Sequence, residues 1–152
     1  MKKVFTLCLI KKDDRVLLGY KKRGHGIGKW NGFGGKVLPN EPVEDAMVRE
    51  VEEESGLILK CFEKIALIDF AYPGESEVWE THLFTSSDYL GEPQNTEEMK
   101  PQWFKVDELP FDLMWPDDKH WFPYFLNGKK FRAQFNFDKD NNIVAWSINE
   151  AK

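Results

Sequence analysis

Four glutamates, Glu50, Glu52, Glu53 and Glu54, crowd the C-terminal half of the stretch Gly35–Leu57. Like charges three or four residues apart on a helix cost roughly 0.2–0.5 kcal/mol per pair. Acids near a helix C-terminus also oppose its macrodipole. Bound divalent cations offset such repulsion, and hard cations such as magnesium take carboxylate oxygens and bring phosphates with them. The spacing therefore points to metal-assisted chemistry on a phosphorylated substrate. A bound cation neutralises phosphate charge and lowers the pKa of an attacking water, while a free carboxylate accepts the water's proton. Glu50, Glu53 and Glu54 stand at i, i+3 and i+4 and share one helix face. Glu52 points to another face and is expected to be a solvated acid. Glu53 and Glu54 are both candidates for the base, and the spacing does not divide the ligand and base roles between them.

The elements that must position these acids are readable on either side. Pro42 suits a first helical turn and Gly56 suits the position just past a last one. The pattern predicts a helix over Pro42–Ser55, with Val43, Ala46 and Met47 on its apolar side. Val4–Ile10 and Arg15–Tyr20 read as strands joined by the polar turn Lys11–Asp14. A glycine-rich loop, Lys21–Gly35, follows and runs into a short strand near Phe33–Val37. Further strands are expected at Lys64–Tyr72, Trp79–Thr85 and Gln102–Lys105, with a turn at Pro73-Gly74. Asp117–Leu126 reads as a second helix interrupted by Pro123. Phe131–Phe137 and Ile143–Ile148 form a closing hairpin. The fold class is α/β (α+β), a mixed β-sheet with helices packed on it, in one domain spanning residues 1–152.

Bulk properties narrow the partners. The net charge of −5 gives a field that does not attract a nucleic acid polymer. An anionic substrate then needs local cations, and Lys21, Lys22, Arg23, Lys29 and Lys36 supply them around the glycine loop. No segment approaches the ~20 apolar residues of a membrane helix, and no membrane partner is expected. The apolar run in MKKVFTLCLIKKDD stops at Lys11-Lys12 without a small-residue cleavage site, so it reads as a buried strand and not a signal peptide. Cys8 and Cys61 have neither metal nor redox spacing and are expected to be reduced thiols in a cytoplasmic-type compartment, with nuclear and mitochondrial pools also open. With no extended heptad, a monomer is expected.

The spacing Gly35, Glu41, then Arg49-Glu50-Val51-Glu52-Glu53-Glu54-Ser55-Gly56-Leu57 resembles the Nudix box of the nucleoside-diphosphate-linked hydrolases. That resemblance implies a loop–helix–loop on an α/β/α sandwich and a Mg²⁺ cofactor, or Mn²⁺. It also implies metal ligation by Glu50, Glu53 and Glu54 together with the Gly34 carbonyl, with Arg49 pairing a carboxylate and Glu41 supporting the loop. The likeness extends over most of the chain to the family's oxidised-purine, MutT-homologue branch. It is carried by Arg15–Gly19, Lys21–Gly24, Trp30–Val37, Glu98-Met99 with Pro101, Met114–Asp118 and Trp121–Pro123. It implies a base pocket in which Trp115 and Pro116 flank a purine, while Asp117, Asp118 and Asn31 read its polar edge. Thr6, Lys21, Phe33, Gly34, Gly35 and Lys36 are implied as further substrate contacts, and Glu98 as a carboxylate that completes the metal site.

The implied partner is a small nucleotide and the implied reaction is hydrolysis of oxidised purine (deoxy)nucleoside triphosphates to monophosphate and pyrophosphate. Adjacent carboxyls in a dry pocket raise at least one pKa, so such a pair presents donor and acceptor in more than one arrangement. That suits 8-oxoguanine and 2-oxoadenine alike. Two positions depart from the family's pattern. His25 stands where an aromatic or apolar pocket residue is expected, and Trp79 where a flexible apolar one such as methionine is expected. Other readings keep the fold but change the use. One is a Nudix hydrolase of methylated purine triphosphates, dinucleoside polyphosphates or ADP-ribose, and another is a binding module without catalysis.

Overall fold

The computed structural model describes residues 2–151. Its strands are β1 Lys2–Lys12, β2 Arg15–Lys21, β3 Trp30–Asn31, β4 Ile58–Ala71, β5 Val78–Leu90, β6 Met99–Lys105, β7 Phe131–Phe137 and β8 Ile143–Glu150, and its helices are α1 Val43–Ser55 and α2 Asp118–Leu126. One mixed sheet runs in the order β3-β2-β1-β5-β4-β7-β8, with β6 paired to β2 off that path. β1 is parallel to β5 and β4 is parallel to β7. The remaining pairings are antiparallel.

Alternation along β1 divides the core. Cys8 and Ile10 join Met47 and Val51 of α1, while Leu9 joins Trp121, Phe122 and Phe125 of α2. Successive side chains of a strand point to opposite faces, so the two helices cover the sheet from both sides. No helix among the described residues is long and apolar enough to cross a membrane.

Helix α1 is anchored at both ends without a side-chain cap. Pro42 is its N-cap, one residue outside the first turn expected for it. At the other end Gly56 adopts φ 80 and its N–H donates to the Glu52 carbonyl at 2.8 Å. The next carbonyls are taken by the segment before β6. Gln94 N–H donates to Ser55 O at 2.7 Å, and Thr96 Oγ1 to Glu54 O at 3.0 Å. These bonds satisfy the orphan carbonyls of the last turn and fix where Glu54 stands.

The strand expected near Phe33–Val37 is not a continuous one. Phe33 and Lys36 make isolated bridges to Cys8 and Phe5, and Gly34-Gly35 breaks the ladder between them. Pro123 does not interrupt the second helix, which runs through it to Leu126.

Candidate active site

The break at Gly34-Gly35 is where the site begins. A Cβ on Gly34 would lie 1.9 Å from the Thr6 carbonyl oxygen, and one on Gly35 would lie 2.6 Å from the Glu50 carboxyl carbon. Only glycine lets this segment lie against β1 on one side and α1 on the other. Gly34 N–H does not join the strand ladder and donates to Glu54 Oε1 at 2.7 Å.

The three glutamates of the shared face have different surroundings. Glu54 is 3% exposed, and burial lifts its pKa to about 7 against the opposing pull of Lys21 and of the Gly34 N–H. Its Oε2 lies 3.6 Å from Lys21 Nζ. Glu50 is half-buried, and burial raises its pKa although Arg49 donates to it at 2.9 Å. Glu53 is the most exposed of the three, with Arg49 at 3.4 Å. Glu52 is exposed and outside the group.

Arg49 is the hub. It grips Glu41 through two bonds of 2.9 and 3.0 Å and reaches the Lys36 carbonyl at 3.4 Å. Glu41 also accepts from Leu38 N–H at 3.0 Å, and the Arg49 contact holds its carboxyl below the usual range. Across the cleft Arg23 donates to Glu98 at 2.8 Å and keeps it ionised at lower pH than usual. Lys21 Nζ stands 4.0 Å from the same Glu98 carboxylate.

This donor set is chemically suited to a hard divalent cation, because its ligating atoms are carboxylate and carbonyl oxygens. The side-chain-free face of Gly35 leaves the Glu50 carboxyl room to turn. Among the described residues, no three acids are already gathered into a cation cage. Glu50 and Glu53 spend their charge on Arg49, so ligation requires them to leave that contact.

Beside the glutamates a cavity of about 240 Å³ opens between β1, β4, β5 and the segment before α2. Of the residues singled out in the sequence it brings together Thr6, Lys21, His25, Asn31, Gly35, Trp79, Trp115, Asp117 and Asp118. A second, smaller cavity of about 50 Å³, which shares Lys21, His25, Asn31 and Trp115 with the first, is lined by Glu54.

Phe33, Gly34, Lys36 and Pro116, expected as substrate contacts, do not line the cavity. Phe33 is buried in the core under α1 with Met47 and Val51. Lys36 is exposed, and Pro116 lies outside the wall. Phe5, Leu7, Phe70, Tyr72 and Thr81 do line it and were missed. Their only sequence signal is that Phe5 and Leu7 flank Thr6, and that Tyr72 ends a strand just before Pro73-Gly74.

The two aspartates form the cavity's polar end. Asp117 sits at the N-cap position of α2 but its side chain does not cap the helix; it accepts a 2.8 Å bond from the Trp121 indole N–H. Burial raises the pKa of Asp117, and burial together with the neighbouring Asp117 charge raises that of Asp118 well above the usual range. Of the two, Asp118 is pushed up the more, while the Trp121 indole N–H steadies the Asp117 carboxylate. Among the described residues, Asp118 Oδ2 and Thr6 Oγ1 are buried without a partner. Such groups cost about 1–3 kcal/mol when left unpaired, and both belong to residues that line the cavity. The aromatic wall is continuous. His25 stacks on Trp115 with centroids 4.8 Å apart and also meets Trp79 at 4.9 Å.

An α/β/α sandwich with this glutamate helix over a glycine break defines a nucleotide-hydrolase class, and the NUDIX domain family matches residues 1–125. The chain belongs to that family. It is 45% identical over 148 residues to the oxidized purine nucleoside triphosphate hydrolase of Mus musculus, covering 97% of this chain and 95% of that protein. It is 47% identical over 150 residues to the protein of the same name from Danio rerio, covering 99% and 96%. Among solved structures, a mutator MutT protein from Bacillus halodurans superposes with a TM-score of 0.85 at 26% identity, over 97% of each chain.

Proposed function

We propose that this Nudix hydrolase cleaves oxidised purine (deoxy)nucleoside triphosphates to monophosphate and pyrophosphate with Mg²⁺, sanitising the nucleotide pool of a cytoplasmic-type compartment as a monomer. The observation that carries the reading is the position of the buried Asp117–Asp118 pair. It closes an aromatic cavity that shares Lys21, His25 and Asn31 with the smaller one lined by Glu54. A base held at the acid end would leave its phosphates directed toward the glutamates. The near full-length likeness to two oxidized purine nucleoside triphosphate hydrolases supports the same substrate class.

In this reading Trp115 supplies an aromatic face for the purine. Asn31 donates and accepts at the base edge. Asp118, whose carboxyl burial favours in the protonated form, donates to a carbonyl or ring nitrogen, while Asp117 accepts a base N–H. An oxidised purine differs from its parent in these edge groups, and a site built to pair them rejects a base that leaves its buried polar atoms unmet. Lys21 draws the polyphosphate toward Glu54. Glu50, Glu53 and Glu54, with Glu98 and the Gly34 carbonyl, would hold Mg²⁺, which when bound neutralises phosphate charge and favours attack by water.

Glu54 accepts the water's proton. The Gly34 N–H bond to its Oε1 fixes the orientation of the carboxylate, as a positioned base requires. A water oxygen thereby replaces the bridging oxygen of the anhydride bond between the α- and β-phosphates. Arg49 keeps its two bonds to Glu41 throughout, while Glu50 and Glu53 turn from it toward the cation.

Product analysis tests the reaction. With 8-oxo-dGTP and Mg²⁺ the expected products are 8-oxo-dGMP and pyrophosphate, and EDTA abolishes them. Release of inorganic phosphate and the nucleoside diphosphate would overturn the assignment.

A further inference from the structure

A third polar atom in this cavity wall has no partner among the described residues: the indole Nε1 of Trp79. Trp79 comes from β5, where it pairs in register with Lys3 of β1 and Phe70 of β4, and it lines the same cavity as Asp118 and Thr6. The indole N–H only donates. A buried donor left unmet destabilises the folded protein unless a partner arrives, and Trp79 stands in the wall of a cavity through which a ligand could bring an acceptor. The ring itself is firmly set. Phe5 stacks on it at 4.6 Å and 25°, Tyr72 leans on it at 4.8 Å, and Lys3 Nζ lies over it at 5.6 Å. Of its ring neighbours only His25 is exposed, and His25 sits on the glycine loop between Gly24 at φ 79 and Gly26 at φ 84.

We propose that Trp79 is a further specificity-determining residue of the base site, donating its indole N–H to an acceptor on the substrate purine once His25 gives way. The proposal rests on the cavity's being the base site. It adds a fixed donor to the mixed donors and acceptors of Asn31, Asp117 and Asp118. The bases favoured are those that place a carbonyl or ring nitrogen against β5.

Trp79→Phe keeps an aromatic wall and deletes the N–H, and Trp79→Leu removes the ring as a packing control. Calorimetric binding of 8-oxo-dGMP, 2-oxo-dAMP and dGMP is measured for each, with kcat and KM on whichever purine triphosphate the wild type cleaves. For Trp79→Phe, Kd for the best-bound nucleotide and KM should rise about tenfold while kcat moves less than about twofold. Its melting temperature should not fall, because an unmet buried donor has been removed. Unchanged Kd and KM overturn the proposal. So does a loss of binding accompanied by the drop in melting temperature that Trp79→Leu shows, since Trp79 would then be packing alone. If the wild type shows no preference for oxidised bases while Trp79→Phe still weakens purine binding tenfold, the oxidised-purine reading falls and this one stands.

Discussion

Replacing Glu54 by glutamine separates what this carboxylate costs the fold from what it does in the reaction. Glu54 is 3% exposed and its pKa is raised from 4.5 to about 7, with burial the largest cause. The native state therefore holds a proton that the unfolded chain releases between about pH 4.5 and 7, and stability falls as pH rises through that window. At 1.36 kcal/mol per pH unit the interval amounts to at most ~3 kcal/mol, fully felt above pH 7 and absent below 4.5. Glutamine keeps an acceptor for the Gly34 N–H and carries no charge to bury.

Metal-free Glu54→Gln should therefore be more stable than wild type at pH 8.5 by up to ~3 kcal/mol, or roughly 6–12 °C in Tm for a domain of this size. At pH 4.5 the two should be nearly equal. Glu50, Asp117 and Asp118 are also raised by burial, but both proteins carry them and they cancel in the difference. Hydrolysis by the same variant should fall by about 10²–10⁴-fold, the usual worth of a positioned base. Denaturant unfolding in EDTA at the two pH values measures the stability difference. A variant less stable than wild type at pH 8.5, or a gap that does not close on acidification, refutes the reasoning.

The other expectations follow from single contacts. Gly34→Ala places a Cβ 1.9 Å from the Thr6 carbonyl and should destabilise by about 3 kcal/mol. Gly74→Ala, with open space around its Cβ, should cost only the ~1 kcal/mol of a positive φ; thermal unfolding distinguishes the two. Arg49→Lys cannot hold Glu41 bidentately, and the Mg²⁺ concentration for half-maximal rate should rise about 10–100-fold. Asp118→Asn replaces a buried carboxyl, which burial pushes toward its protonated form, with an amide of the same size. It should leave stability nearly unchanged and shift the kcat/KM ratio of 8-oxo-dGTP to 2-oxo-dATP by about tenfold, read by steady-state kinetics.

Periodicity and punctuation made the scaffold legible. Pro42 and Gly56 bracketed α1, and Phe131–Phe137 appears with the bounds its alternation implies. β4 was read only from Lys64 and begins at Ile58, because its early part carries irregular register between Leu59 and Ala66 that disrupts a period of two. The glutamate face was visible as spacing, but not its inequality. Glu54 is buried because the strand-breaking Gly34 faces it, while Glu53 lies toward solvent, a difference set by packing between distant segments. Asp117-Asp118 stood out as a dipeptide. Phe5, Phe70 and Tyr72 looked like ordinary strand aromatics, and only the parallel pairing of β1 with β5 and the turn after β4 bring them to one cavity. Phe33 was drawn into the site by its neighbours in sequence, whereas its bridge to Cys8 sets its ring in the core under α1.

The central claim is that the buried acid pair and aromatic cavity select an oxidised purine for cleavage at Glu54. The most direct test is competition. The wild-type protein, saturated with Mg²⁺, is given 8-oxo-dGTP, 2-oxo-dATP and dGTP in one mixture, and the disappearance of each is followed. The account predicts that at least one oxidised purine is consumed about tenfold or more faster than dGTP at equal concentration. Consumption of all three at the same rate would contradict it.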